Sequence, residues 1–302
     1  MTRTALQGLA ETGDIETFRP AWWFEPFDVD LSQLLQSEGF QTLLRYLRSP
    51  VTCGTVRSNR PFPLGADEPV GDILVTPMAR SGLAILTRPE DGKPSIQSMW
   101  PFTTDGIQHQ VEIDRIVIAP NRLEAMIVGT LPSGLEVTWH DVLFAADRAF
   151  YSTGSIHEVI LAGFAHELRP APDAPIVVPA VTEQWASVRA RFPESFDSDG
   201  NLTIQTKGMS ALLACNATSP EFCEVRGPVK KIERYAGELF GRTTDVVTVA
   251  VHQGNGPDVD LAVFVTDHVR GAASLPGIGD DFAALARLVG RLWQPNVRRT
   301  SE

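Results

Sequence analysis

The sequence predicts a mainly β protein (α+β), built as two small β modules with short flanking helices. Three observations carry that expectation. Glycine and proline number 24 and 22 among 302 residues, which suits many short elements joined by turns. The apolar stretches are short and bounded by turn residues. Finally, the stretches 105–170 and 220–293 run through similar elements in a similar order.

The first region, 1–50, reads as an N-terminal arm followed by a helix. Trp22, Trp23 and Phe24 sit between Pro20 and Pro26, so they cannot belong to a long helix. They either dock a partner or fold back onto the chain's own core. Leucines at 31, 34, 35, 43, 44 and 47 then fall on helical spacing, with Asp30 or Ser32 as cap and Pro50 as stop.

Residues 51–170 form the first β-rich module. Short strands are predicted at 72–76 and 82–87, joined through 79–82. A meander follows: a strand at 111–118, a turn at Pro120-Asn121, a strand at 122–130, a turn at 132–134 and a strand at 135–139. In the last of these Leu135, Val137 and Trp139 alternate with Glu136, Thr138 and His140, as on a sheet with one wet face. Residues 141–151 read as a helix capped by Asp141, and 156–164 as a further strand.

The stretch 171–180 is a proline-rich linker or an edge-hugging extended segment. Residues 181–302 form the second module. A short helix capped by Thr182 covers 182–192, and a long strand, bent at Gly227-Pro228, covers 222–235. Strands at 245–252 and 259–266 flank the turn at 254–258. Phe282, Leu285, Val289 and Leu292 fit a helix over 280–293 capped by Asp280, a closing strand being the alternative.

A long bent strand leading into a two-strand meander resembles the oligonucleotide/oligosaccharide-binding (OB) barrel. The resemblance is one of element order and covers roughly 105–170 and 220–293, with Gly227 as the glycine that lets one strand serve both sides of a small barrel.

Composition narrows the function. A formal charge of -11 and a pI near 5.1 disfavour charge-driven nucleic-acid binding. Cys53, Cys215 and Cys223 are odd in number and widely spaced, which suits buried thiols in a reducing compartment rather than disulfides or zinc. No apolar leader opens the sequence and no apolar stretch approaches a membrane span, so the expected location is the cytoplasm.

No nucleophile, phosphate-loop or metal-ligand signature stands out, so neither metal nor cofactor is expected and catalysis is the less favoured reading. His140-Asp141 and Asp267-His268 are the His–Asp adjacencies, but neighbours on a strand point to opposite faces. Gly277-Ile278-Gly279-Asp280-Asp281 lacks the lysine of a phosphate loop, and its carboxylates would repel phosphate. Arg226, Lys230, Lys231, Arg234 and Arg242, with Tyr235 beside them, form the one basic stretch and the candidate ligand surface. The favoured expectation is a non-catalytic module binding a protein partner or itself through tandem OB-like units, with Trp22, Trp23 and Phe24 as candidate contacts. Single-stranded nucleic-acid binding on the basic strand, or an enzyme with dispersed residues, are the alternatives.

Overall fold

The computed structural model describes residues 11–12, 56–57, 72–77, 80–91, 93–103, 106–119, 123–147, 150–171, 174–179, 189–190, 193–215, 221–236, 242–253 and 256–293. Trp22, Trp23, Phe24, the helix expected at 30–49, Cys53 and all but residues 189–190 of the helix expected at 182–192 lie outside them.

Strands dominate. In chain order they are β1 (Glu11–Thr12), β2 (Val56–Arg57), β3 (Asp72–Pro77), β4 (Ser81–Glu90), β5 (Lys93–Thr103), β6 (Ile107–Ile118), β7 (Ala125–Thr130), β8 (Glu136–Asp141), β9 (Ile156–Leu168), β10 (Ile176–Pro179), β11 (Asn201–Ile204), β12 (Ala211–Ala214), β13 (Phe222–Tyr235), β14 (Thr244–His252), β15 (Val259–Thr266) and β16 (Asp281–Leu292). Two helical turns, α1 (Phe144–Asp147) and α2 (Asp267–Arg270), follow β8 and β15. Among the described residues no helix is long and apolar enough to cross a membrane.

The largest sheet has ten strands in the order β1-β6-β7-β8-β16-β9-β15-β14-β13-β12, with β6–β9 and β16–β13 also paired. The extra pairings close the sheet on itself twice. One circuit runs β6-β7-β8-β16-β9, the other β13-β14-β15-β9-β16, and both use the antiparallel β9/β16 pair. The two halves thus repeat one order: a long strand, a two-strand meander, a helical turn and a closing strand. Their closing strands lie against each other. Trp293 N donates to Glu158 O at one end of that pair and Arg169 N to Ala283 O at the other.

This arrangement overturns the helix expected at 280–293. β16 sits in the middle of the sheet and is buried on both faces from Phe282 to Gly290, apart from a half-buried Leu285. A strand covered on both sides carries apolar residues on both faces, here with Arg287 as the exception, so its sequence loses the period of two that marks a half-exposed strand. Of the helix expected at 141–151, the described residues show α1 at Phe144–Asp147. Asp141 still opens that turn, with its Oδ1 accepting the Leu143 N–H at 2.8 Å.

β13 changes partner at Gly227-Pro228, pairing with β16 over Phe222–Pro228 and with β14 from Val229 onward. A Cβ on Gly227 would lie 1.9 Å from the Ala250 carbonyl oxygen, so only glycine permits the approach. The core fills the interior of the sheet with alternate residues of its strands: Ile113, Ile127, Trp139 and Leu161 in one half, Val225, Val249, Val263 and Phe282 in the other.

A four-stranded sheet, β2-β3-β4-β5, stands apart from the large one in its hydrogen bonding and packs on it through β5. The sequence pointed to β3 and β4 but not to β5, which carries Pro94 and Pro101. β5 is the last strand in that order, and an edge strand can lose an N–H without losing a ladder bond. β10 pairs with β11, which gives the proline-rich 176–179 segment a partner strand.

Candidate functional site

β8 ends in Trp139-His140-Asp141, and the strand's alternation sends these side chains to different places. Trp139 enters the core. His140 faces the opposite side, which β5 covers, and both His140 and Asp141 have 0% exposure. His140 Nε2 lies 3.1 Å from Glu124 Oε2 just before β7. The Trp100 ring from β5 lies on the imidazole, 3.9 Å between centroids. On its own centroid, again at 3.9 Å, Trp100 carries the Arg287 guanidinium, whose Nη2 reaches Glu221 Oε1 at 3.1 Å. A chain of acid, imidazole, indole, guanidinium and acid is therefore stacked where the two sheets meet.

Burial pushes the His140 pKa down and outweighs the pull of Glu124, which favours the neutral imidazole. Burial also lowers Arg287, to about 10, against the opposing effect of Glu221, so the guanidinium stays charged at neutral pH.

Asp141 does not partner His140. Its Oδ2 accepts the Tyr151 hydroxyl at 2.5 Å. Burial, aided by the nearby Asp147, pushes its pKa up to about 8, so at pH 7 it is mostly a neutral acid. Asp147 is itself raised to about 6 by burial, against the influence of Arg291. His140, Glu124, Arg287 and Glu221 are packed into the interior, where Trp100 of the four-stranded sheet sits against both His140 and Arg287.

The other polar motifs are absorbed by local structure. Asp280 Oδ2 accepts the Gly277 N–H at 2.9 Å and Asp281 Oδ2 accepts the Gly208 N–H at 2.9 Å, so both carboxylates bind the chain's own backbone. No helix follows them, which removes the helix dipole a phosphate loop would use. Asp267 pairs with Arg242. His166 packs on Phe222, its pKa brought down to about 4 first by burial and then by Arg287. Among the described residues no group of three side chains is arranged to hold a metal. Cys223 is buried as expected, but Cys215 is exposed, because it follows an edge strand.

The basic stretch is distributed along β13 and matched by acids. Arg226 pairs with Glu224, Lys230 Nζ with Asp260 at 2.6 Å, and Lys231 Nζ with Glu233 at 2.9 Å. Arg234 Nε contacts Asp245 at 2.6 Å, a carboxylate shared with Arg270. Arg242 Nη1 lies 3.5 Å from Asp267. Tyr235 donates to Glu233 at 3.0 Å, and the Arg80 guanidinium lies over its ring. Of the six candidates, the fold gathers Lys231 and Tyr235 around Glu233. Lys231 and Glu233 line a cleft of about 180 Å³ with Arg80, over a floor that includes Ile107, Val246, Ala262 and Phe264. The other cations point to separate partners.

A different kind of surface lies at the end of the large sheet. β12, Ala211-Leu212-Leu213-Ala214, pairs with β13 alone among the described strands. Cys215 N donates to Phe222 O, so strand alternation turns the N–H and C=O groups of Leu212 and Ala214 outward, away from β13. Leu212 packs on the core, whereas Leu213 is 50% exposed. The loop carrying Ile278, 73% exposed, is tied to the approach to β12 by the Gly208–Asp281 bond. No charge occurs between Lys207 and Glu221. Sequence reading passed over this stretch because four uncharged residues among turn formers look like loop.

Comparison with protein-family models, with curated proteins and with solved structures finds nothing that matches this chain.

Proposed function

We propose that the chain is a non-catalytic interaction module, two OB-like units that bind a protein partner by strand addition along β12. One observation carries the reading: β12 presents outward backbone groups and an exposed leucine in an uncharged stretch. Most sheet edges are blunted by lysine, proline or a covering segment, and an edge left apolar is a template for an incoming strand. The residues that could do chemistry favour the same reading, since His140, Asp141 and Arg287 are packed into the interior. The carboxylate beside each cation of β13 leaves little net charge for a phosphate backbone to neutralise.

The test uses the outward N–H of Ala214. A photo-crosslinking aromatic placed at Leu213 should capture protein adducts, and adding Ala214→Pro should abolish them. Proline there removes an N–H that no ladder bond uses, so the fold survives. Adducts that persist in the proline variant would defeat strand addition.

A further inference from the structure

We propose that the cleft between Arg80 and β13 binds a small monocarboxylate with an apolar body, such as an aromatic or branched-chain acid. This stands apart from strand addition, because β12 pairs with β13 near Cys223 and Arg226 whereas the cleft lies beside Lys231 and Glu233.

The shape of the cleft follows from strand register. β13, β14 and β15 set Glu233, Val246 and Phe264 in one cross-strand row and Lys231, Thr248 and Ala262 in the next. Residues two apart on a strand share a face. That face is therefore charged on β13 and turns apolar across β14 and β15. Ile107, at the start of β6, extends the apolar side, and Arg80, just ahead of β4, closes the charged side. The enclosed space is about 180 Å³. A cavity of about 150 Å³ admits benzene, and pockets for drug-sized ligands begin near roughly 300 Å³. One ring or branched chain with its head group fills the cleft.

The charged side sets the sign of the ligand. Glu233 Oε2 takes both Arg80 Nη2 at 2.8 Å and Lys231 Nζ at 2.9 Å, while its Oε1 accepts the Tyr235 hydroxyl at 3.0 Å. A single carboxylate oxygen thus serves two cations. A ligand carboxylate beside it gives them a second acceptor, and an ammonium such as that of Lys231 has three N–H groups to share between the two. The Arg80 guanidinium lies 5.1 Å from the Tyr235 ring centroid, which steadies a planar fork suited to carboxylates. A cationic ligand would meet two like charges and a carboxylate already engaged three times. An inorganic anion would leave the apolar floor in water. One polar wall over an apolar floor is the usual means by which a small-ligand site fixes orientation.

Fluorine NMR of 4-fluorobenzoate titrated with the full chain tests the proposal. A dissociation constant of about 1 mM is expected for a ligand of this size. The neutral 4-fluorobenzyl alcohol should bind at least about 10-fold more weakly, since it lacks the charge-assisted bonds. Inorganic phosphate should not displace the benzoate. Lys231→Met should weaken benzoate binding about 5-fold or more while the urea midpoint stays in place. Thr248→Met should block binding by filling the floor, and Glu233→Gln should tighten it by removing the competing acceptor. The proposal is overturned by absence of binding at about 20 mM, by alcohol or 4-fluorobenzylamine binding as tightly as the acid, or by a benzoate titration that Lys231→Met and Thr248→Met both leave unchanged.

Discussion

The two halves of the large sheet share an order of elements but place their charges in opposite environments. In the first half Glu124, His140, Asp141 and Tyr151 are sealed from water, and Arg287 and Glu221 join them from the second half's strands. In the second half Lys230, Lys231 and Arg234 sit at the surface beside their carboxylates. The difference comes from what lies on top. The four-stranded sheet brings Trp100 onto the first half's His140, whereas Lys230, Lys231 and Arg234 of β13 stay at the surface, although Asp245 of β14, which Arg234 and Arg270 share, is buried. Similar strand order therefore does not fix where a charge ends up. A covering layer turns an ion pair into a structural commitment, and its absence leaves one nearly free of consequence.

The contrast predicts its own largest effect. Arg287→Met strands Glu221 in a buried site and should cost about 3–5 kcal/mol in urea unfolding. Pairing it with Glu221→Gln should recover most of that loss, because the two changes share one interaction. Lys231→Met, made on a pair that water reaches on both sides, should leave the unfolding midpoint unchanged within error. Equal costs for Arg287→Met and Lys231→Met would erase the distinction between the halves.

Next in size are the close approaches at the crossings. Gly227 of β13 itself passes the Ala250 carbonyl, with a 1.9 Å Cβ position. In the first half β6 has no glycine of its own at the crossing, and Gly129 on its partner β7 gives the room, with a Cβ position 2.5 Å from Val111 Cγ1 and 2.6 Å from Glu112 O. Gly227→Ala should cost about 3 kcal/mol or more and Gly129→Ala somewhat less, since the carbonyl met at Gly129 stands at 2.6 Å and the one at Gly227 at 1.9 Å. A milder effect at Gly227 than at Gly129 would reverse the assignment of the tighter crossing.

The smallest expected effect is a pH dependence confined to the first half. Asp141 is raised from 3.8 to about 8, so the folded state holds its proton after the unfolded chain has released it. Stability is then present at low pH and declines as pH rises toward 8. The histidines lowered by burial act in the opposite sense below their ordinary 6.5, as His166 does. The Asp141 effect should therefore stand clear between about 6.5 and 8, where a fall of about 1–2 kcal/mol is expected. Asp141→Asn should flatten it, as read from urea midpoints at several pH values. A slope that survives in Asp141→Asn would place its origin elsewhere.

Much of the strand framework was legible. Alternation at Leu135, Val137 and Trp139 and the turns at 132–134 and 254–258 marked strands where strands lie, but the wet face expected at 136–140 is covered, with Thr138 and His140 buried. The bend at Gly227-Pro228 was legible for the same local reason, since few residues tolerate that geometry. β16 was not, because being covered on both faces erases its period. Nor was β5, whose prolines are tolerable only on an edge, and edges are assigned by the sheet. His140 and Asp141 stood out as a pair, yet their partners Glu124 and Tyr151 are 16 and 10 positions away from them. No spacing rule links such residues.

By itself the sequence determined that the chain is mainly β, where most strands of the two repeated blocks turn, and that the thirteenth strand must bend. These are short-range matters, set by φ/ψ limits and side-chain alternation. The tertiary structure alone decided that β9 and β16 join the two halves, that one set of charges is buried whole while the other keeps its lysines at the surface, and that β12 ends the sheet among the described strands. Those outcomes depend on which surfaces meet across long stretches of chain, and burial, unlike periodicity, is a property of the assembled layers.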